Sequence, residues 1–338
     1  MYKPIYHISP YLLNLIDEAA KLRSWIELTP LKISWLPVLQ KEARTHAAHF
    51  STSIEGNPLT LSQVQAIARG EKTNAHHTHE REIHNYLKAM HWIEKNSKLE
   101  INEKNLLLIH KLLMDSLVPE NKIAHYKKKQ NYVINENGIR VFTPPSPKNT
   151  PRYLQDLLAW TKSSRAGALH SIVVCAIFHH RFVSIHPFSD GNGRLARTVG
   201  TLILYQREFD LHNIFSLDEF FATDRKRYYQ KIQQARDLDD NLSLWIEYVA
   251  EGVVYTLKNV KKRIEDLHVS SLCQINLTPR QEEALRILRD HPPLRVGELT
   301  RQLQITRSRI NQLLTPLIQA GLVKKQGKSR ATTYNLNV

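Results

Sequence analysis

"SIVVCAIFHHRFVSIHPFSDGNGRLARTVGTLILYQRE", residues 171–208, decides how the chain around it is built. Its first part is an apolar helix whose last turn falls at about Ile185, because Pro187 discourages continuation. The loop then ends in Gly191-Asn192-Gly193, and "RLARTVGTLILYQRE" starts a second helix. Flanking segments share the helical spacing of apolar residues three and four apart: "YLLNLIDEAAKLRSWIEL", "NEKNLLLIHKLLMDSL", "PRYLQDLLAWTK" and "LSLWIEYVAEGVVYTLKNVKKRIEDL". Each can bury one face only against other helices, so the fold class is mainly α.

The loop between the two helices concentrates chemistry. Glycines at a helix start let backbone N–H groups approach an anion, and the helix dipole favours negative charge there. Arg194 and Arg197 share a face of the first turn beside this cradle, where two cations make most sense if phosphate oxygens or a carboxylate complete them. Asp190 supplies one hard oxygen just before the cradle, suited to a Mg²⁺ or Mn²⁺ that keeps several waters and also binds phosphate. His186 is the base, largely neutral at neutral pH and able to take a proton from an attacking hydroxyl. A phosphate electrophile and a base imply nucleotidyl or phosphoryl transfer.

The bulk composition is compatible with such a partner. The 338 residues hold 47 Lys and Arg against 32 Asp and Glu, a formal charge of +15, which favours a polyanion such as a nucleotide or nucleic acid. Cys175 and Cys273 are the two cysteines and stand in no metal or redox spacing. The N-terminal "MYKPIYHISPYLL" does not read as a signal peptide and no segment reaches membrane-spanning length, so a reducing, cytoplasmic setting is expected. His79 and His84 are five apart, about 140° out of line on a helix, and are read as a solvated helix start rather than a zinc site.

Residues 186–197 resemble the Fic signature, His-Pro-Phe-x-(Asp/Glu)-Gly-Asn-Gly-Arg-x-x-Arg, at every specified position. The likeness extends over roughly residues 40–260. It implies a helical core whose members mostly transfer AMP from ATP to a hydroxyl side chain of a target protein, sometimes the enzyme itself, releasing pyrophosphate. By resemblance His186 deprotonates the target hydroxyl and Asp190 holds the metal on the α- and β-phosphates. Gly191, Asn192, Gly193 and Arg194 bind phosphates, and Arg197 reaches the γ-phosphate. A Doc-type kinase is disfavoured by Gly193, which keeps the anion hole open. "NYVINENGIRVF", residues 131–142, alternates apolar residues around Asn137-Gly138 as a lone β-hairpin; by resemblance it is the flap that receives an extended target segment. "DRKRYYQKIQQAR" resembles the base-pocket segment, with Tyr228 or Tyr229 as the adenine contact.

"STSIEGNPLT", residues 51–60, offers Ser51, Glu55 and Gly56. Alone it would read equally as a Ser-capped turn. Beside the downstream motif it resembles the Fic inhibitory helix, which implies a bidentate Glu55–Arg197 pair in the γ-phosphate's place. A related enzyme reading is AMP removal, with Glu55 positioning a water, and the same residues would serve both.

The C-terminal texture differs. "PRQEEALRILRD", "RVGELTRQL" and "TRSRINQLLTPLIQAG" read as three short helices, and "LVKKQGKSRATTYNL" as two strands around Gly327, an order that resembles a winged helix-turn-helix. The expected domains are therefore a helical region 1–103 with the inhibitory motif at 51–56, a catalytic core 104–267, a linker 268–277 and a winged helix 278–338. Arg307, Arg309 and Asn311 on the recognition helix, with Lys324, Lys325, Lys328 and Arg330 on the wing, make DNA a candidate partner. Such modules also serve dimerisation or target docking, so a homodimer and a DNA-binding regulator with a nucleotide-sensing core stay open. Pro316 is expected to kink the third helix.

Overall fold

The computed structural model describes residues 2–31, 35–134, 137–210, 212–272, 278–290, 293–319, 322–327 and 332–336, with 268–272 and 289–290 in backbone only. Two compact units divide the chain, Met1–Lys261 and Lys262–Val338.

The first unit contains α1 (Pro10–Leu28), α2 (Leu36–Ile54), α3 (Leu61–Ala68), α4 (His77–Lys95), α5 (Glu103–Met114), α6 (Thr150–Thr161), α7 (Ser164–Gly167), α8 (Ser171–Ile185), α9 (Asn192–Gln206), α10 (Asp218–Thr223), α11 (Arg225–Asp237) and the start of α12 (Ser243–Leu272). Local chemistry sets several starts. Ser9 Oγ accepts from Leu12 N–H ahead of Pro10, Asn102 caps α5 through Asn105 N–H, and Thr60 and Gln63 form a reciprocal capping box. α12 runs to Leu272, into the stretch read as linker, because neither Gly nor Pro stands between Gly252 and Pro279 to stop it.

α8 and α9 form the centre. Thirteen of the fifteen residues of α8 are buried, including His179 and His180, so this helix is enclosed on all sides. Trp245 of α12 reaches it, its indole N–H donating to Ala176 O at 2.7 Å. α9 packs along α8, and α2, α4 and α5 pack against α9. The segment around Glu55, the signature loop and α10 are thereby gathered at the N-terminal end of α9. Val133–Ile134 (β1) and Arg140–Phe142 (β2) pair antiparallel, the hairpin the alternation predicts, and Ile134 and Ile139 on it are exposed.

The second unit is built from α13 (Pro279–Asp290), β3 (Leu294–Arg295), α14 (Val296–Leu303), α15 (Arg307–Gln319), β4 (Val323–Gln326) and β5 (Thr333–Leu336). The strands form an antiparallel sheet ordered β3-β5-β4, with Lys325 opposite Tyr334. Leu288, Leu299, Leu303, Ile310, Leu314 and Tyr334 close its core. Gln304 takes a left-handed conformation (φ 51°) and turns the chain between α14 and α15. α15 continues across Pro316, and β3 is a strand the sequence pattern did not signal. The wing residues Lys328 and Arg330, like Cys273, lie outside the described residues.

Candidate active site

The signature loop is held by its own side chains. Asn192 Oδ1 accepts Phe188 N–H and its Nδ2 donates to Phe188 O, both at 2.9 Å, closing the turn before α9. Gly191 has φ 78°, and a methyl group there would stand 2.5 Å from Met114 Sδ, so both backbone and space require glycine. From α5, His110 stacks on Phe188 with 3.9 Å between ring centres. Its Nδ1 accepts Ala124 N–H at 2.9 Å and its Nε2–H donates to Asp190 O at 3.1 Å, which fixes the neutral tautomer. Burial pushes its pKa down to about 4.

His186 ends α8 in a left-handed conformation (φ 50°). Its Nδ1–H donates to Val183 O at 3.2 Å, which leaves Nε2 as the proton-accepting nitrogen. Burial, the Lys127 ammonium and the Arg236 guanidinium push its pKa down to about 4, against the opposing pull of the Val183 hydrogen bond and Glu55. Asn131, at the base of the hairpin, donates from Nδ2 to His186 O at 3.3 Å and Phe188 O at 3.1 Å. Lys127 N–H donates to Pro187 O, and the buried Lys127 ammonium to Asn131 Oδ1 at 2.7 Å. The hairpin and the catalytic loop are thus tied together at their bases.

The two signature arginines are both buried and both paired. Arg194 Nη1 donates to Glu82 Oε1 of α4 at 2.5 Å and Nη2 to Asp190 Oδ1 at 3.0 Å, while its Nε has no hydrogen-bond partner among the described residues. Arg197 Nη2 donates to Glu55 Oε1 at 2.7 Å. The pair is not the bidentate one expected: Nε turns to Ser51 Oγ at 2.7 Å and lies 3.3 Å from Asp218 Oδ1, and Nη2 also reaches Ser51 O at 2.9 Å. Asp218 opens α10 fully buried, its carboxyl pKa raised by that burial against the pull of Arg197.

Ser51 is not the cap of a turn but lies inside α2, which ends at Ile54 with Glu55 as its C-cap. Gly56 follows with φ 101°, the left-handed step that turns the chain out of the helix. Asn57 Nδ2 then anchors the turn on Glu82 Oε2 at 2.9 Å. Glu55 consequently projects over the start of α9, and a methyl group on Gly193 would stand 2.4 Å from Glu55 Oε1. The anion at this helix N-terminus is the protein's own carboxylate.

Tyr228 and Tyr229 separate. Tyr228 is 1% exposed, packed among Phe221, His179 and Trp245, with its hydroxyl 2.9 Å from His179 Nε2 and 3.5 Å from Arg197 Nη1. It offers no free face to a base and supports Arg197 from behind. Tyr229 is 40% exposed and remains beside the site, its hydroxyl 3.5 Å from Ile54 O. Sequence spacing missed His110, Lys127, Asn131, Glu82, Asp218 and Arg236, which act through contacts from five separate segments. Only the basic run around Lys127 and the helix-opening position of Asp218 stood out locally, and neither marks a partner.

Asp190 is the carboxylate available to a divalent cation, its side chain 55% exposed. Among the described residues no group of three or more His, Cys, Asp or Glu could hold a metal without further ligands. A single carboxylate fits Mg²⁺, which fills its shell with water and phosphate oxygens. No helix among the described residues is long and apolar enough to cross a membrane.

Residues 100–204 match the Fic/DOC family and residues 275–331 the MarR family. The protein adenylyltransferase Fic of Drosophila grimshawi is 27% identical over 226 residues, covering 64% of this chain and 43% of its own, and that of Drosophila persimilis is 28% identical, covering 64% and 41%. The chain therefore spans about two-fifths of the length of the curated relatives it matches. A crystal structure of a Fic family protein from Desulfovibrio desulfuricans G20 is similar over 99% of this chain and 98% of that one, with a TM-score of 0.70 and 25% identity. A Fic domain containing signaling protein from Bacteroides thetaiotaomicron VPI-5482 shares the fold over 76% of this chain and 97% of its own, with a TM-score of 0.63 and 22% identity. The signature loop, its two paired arginines and these matches give the chain a Fic domain, followed in sequence by a MarR-like winged helix.

Proposed function

We propose that this protein transfers AMP from ATP to a hydroxyl side chain (Ser, Thr or Tyr) of a target protein, itself included, and that Glu55 restrains the reaction. The observation that carries the reading is the Glu55 carboxylate, 2.7 Å from Arg197 Nη2 and directly over Gly193, where a phosphate would otherwise sit. The target hydroxyl attacks the α-phosphorus while His186 Nε2 takes its proton. The bond from the α-phosphorus to the bridging oxygen breaks, and pyrophosphate leaves. Arg194, the first-turn amides of α9 and, once Glu55 withdraws, Arg197 bind the phosphates. The unmet Arg194 Nε is a donor for that purpose. Asp190 would hold Mg²⁺ or Mn²⁺, which supplies charge neutralisation on the phosphates. Tyr229 is the candidate for stacking with adenine.

With Glu55 in place the γ-phosphate meets a carboxylate, so ATP binds askew and its α-phosphate is not in line. A coupling of roughly 1–3 kcal/mol, typical of such regulation, corresponds to a five- to hundredfold restraint. Glu55→Gly is expected to raise incorporation of label from α-³²P-ATP into protein by that factor, and His186→Ala in the same background to abolish it. Equal labelling with and without Glu55→Gly would remove the brake, and label arriving from γ-³²P-ATP instead would identify phosphate transfer.

A second reading concerns the winged helix. Arg307, Arg309, Asn311 and Gln312 are exposed on α15, spread over the broad side away from buried Ile310, Leu314 and Leu317, with the two guanidinium groups toward its opposite edges. DNA contact there is expected to weaken steeply with salt, and Arg307→Ala with Arg309→Ala to lower the slope of log Kd against log salt by about 1–2. A duplex affinity unmoved by the double substitution would exclude this face.

A further inference from the structure

The Nδ1 edge of His186 hangs on a carbonyl that it shares. Val183 O accepts Nδ1–H at 3.2 Å and also the Nη2–H of Arg236 at 3.3 Å. Arg236 comes from α11, and its Nε donates to Ser184 Oγ at 3.1 Å, so the guanidinium spans two consecutive residues of the last turn of α8. Nη1 donates to Gln233 Oε1 on its own helix at 3.3 Å. The flat face of the group lies 3.8 Å from the ring centre of Phe142, the last residue of β2. Among the described residues no carboxylate forms an ion pair with it. Asp237 and Asp240 act on it only at longer range, and burial pulls its pKa down to about 10.

A second cation works at a neighbouring carbonyl. Lys127 Nζ donates to Ile185 O at 3.4 Å. Both cations therefore stand at the C-terminal end of α8, where the helix dipole is negative. Their arrangement bears on the base in two ways. The guanidinium pins the Val183 carbonyl to which Nδ1–H donates, and two nearby positive charges oppose an imidazolium.

We propose that Arg236 is a positioning residue for the transfer reaction: it ties Phe142 of the hairpin to the carbonyl that orients His186, and keeps the ring in the Nδ1–H tautomer with Nε2 as proton acceptor. The consequence for catalysis rests on the AMP-transfer reading above, whereas the tautomer and charge of the ring do not. A bound triphosphate is a polyanion that favours a protonated imidazole, and a protonated base cannot act. The charged groups facing the ring are Lys127 from the segment before β1, Arg236 from α11 and Glu55 from the end of α2. When phosphates take the place of Glu55 one anion replaces another, and burial together with the two cations keeps the base neutral.

The test is a pH titration of the full chain labelled with ¹⁵N-histidine, followed in long-range ¹H–¹⁵N spectra, with His186 assigned by the signal lost in His186→Gln. Arg236→Gln is expected to raise the His186 midpoint by about one pH unit and to reduce the Nδ1–H share of the neutral ring. Arg236→Lys, which keeps the charge, restores at least half of the midpoint shift. Phe142→Ala, which frees the guanidinium from the hairpin, moves both signals the same way by less. In the Glu55→Gly background the acid limb of kcat for AMP transfer moves with the midpoint, while KM for ATP stays within about twofold, because Arg236 contacts no phosphate-binding group. A folded Arg236→Gln protein with unchanged midpoint and tautomer overturns the proposal, and should that variant fail to fold, an unshifted Phe142→Ala does so. If the ring signals shift as expected while the Glu55→Gly parent transfers no AMP, the AMP-transfer reading fails and the positioning role stands.

Discussion

The full chain is expected to melt about 10 °C lower at pH 5 than at pH 7 in the transition that reports the helical unit. The cause is a set of histidines that the fold keeps neutral. Burial pushes His110 and His186 down to about 4, His180 to about 3, and His179 well below its ordinary value. In the unfolded chain each titrates near 6.5. As pH falls through 6.5 the unfolded state takes up protons that the folded state refuses, so stability is full above that value and is lost on the way down to the folded pKa. Three carboxylates work the other way: Asp210 is raised to about 6, and Asp218 and Glu94 are raised as well, so each gains a proton in the folded state first. These four histidines, with His49, His91 and His170 shifted the same way, outweigh the three carboxylates and leave a net loss on the order of 3 kcal/mol by pH 5, with the partly exposed His186 discounted. Circular dichroism melts between pH 7 and pH 5 measure it, and a melting temperature flat across that range would mean that these histidines protonate in place.

The same histidines show what the sequence could and could not disclose. "FHHRFVSI" was legible as the end of an apolar helix, because its run of apolar residues and the adjacent Pro187 are local signals. The signature was legible for the same reason: a loop that must present amides, a carboxylate and a base within twelve residues writes all of them consecutively. Glu55 was legible only beside that signature, since a glutamate at a helix end is ordinary. The second carboxylate on Arg197 was not legible at all. Asp218 follows Arg197 by twenty-one positions and reaches it through the packing of α10 on α2, a tertiary event with no period or spacing of its own. Tyr228 and Tyr229 carry the same limit, as adjacent positions on a helix whose opposite burial depends on how α11 is rotated against α8 and α12.

Asp218 alters what removing Glu55 should do, and a double-mutant cycle exposes it. The Arg197 guanidinium is 3% exposed and meets two carboxylates, one buried behind it and one half-exposed in front. Asp218→Asn keeps one oxygen acceptor, for either Tyr86 or Ser216, turns the other into an NH2 donor and deletes the rear charge; it is expected to cost about 3 kcal/mol, the usual result of leaving one member of a buried pair uncompensated. Glu55→Ala is expected to cost less than about 1 kcal/mol, because Asp218 still neutralises the arginine. Together they leave a buried cation with no anion, so the double variant should lose about 1–2 kcal/mol more than the sum of the two. Urea melts of the four proteins give that coupling energy. Saturating Mg-ATP should then stabilise the double variant most, since the γ-phosphate restores an anion to the one arginine that lacks both of its own. Additive losses, or equal stabilisation of all four proteins by nucleotide, would mean that Arg197 does not depend on these carboxylates and that its γ-phosphate role must be abandoned. The coupling also bears on the proposed restraint by Glu55: with Asp218 present, its withdrawal would leave a neutralised arginine rather than a bare one, which would lower the cost of opening the site to ATP.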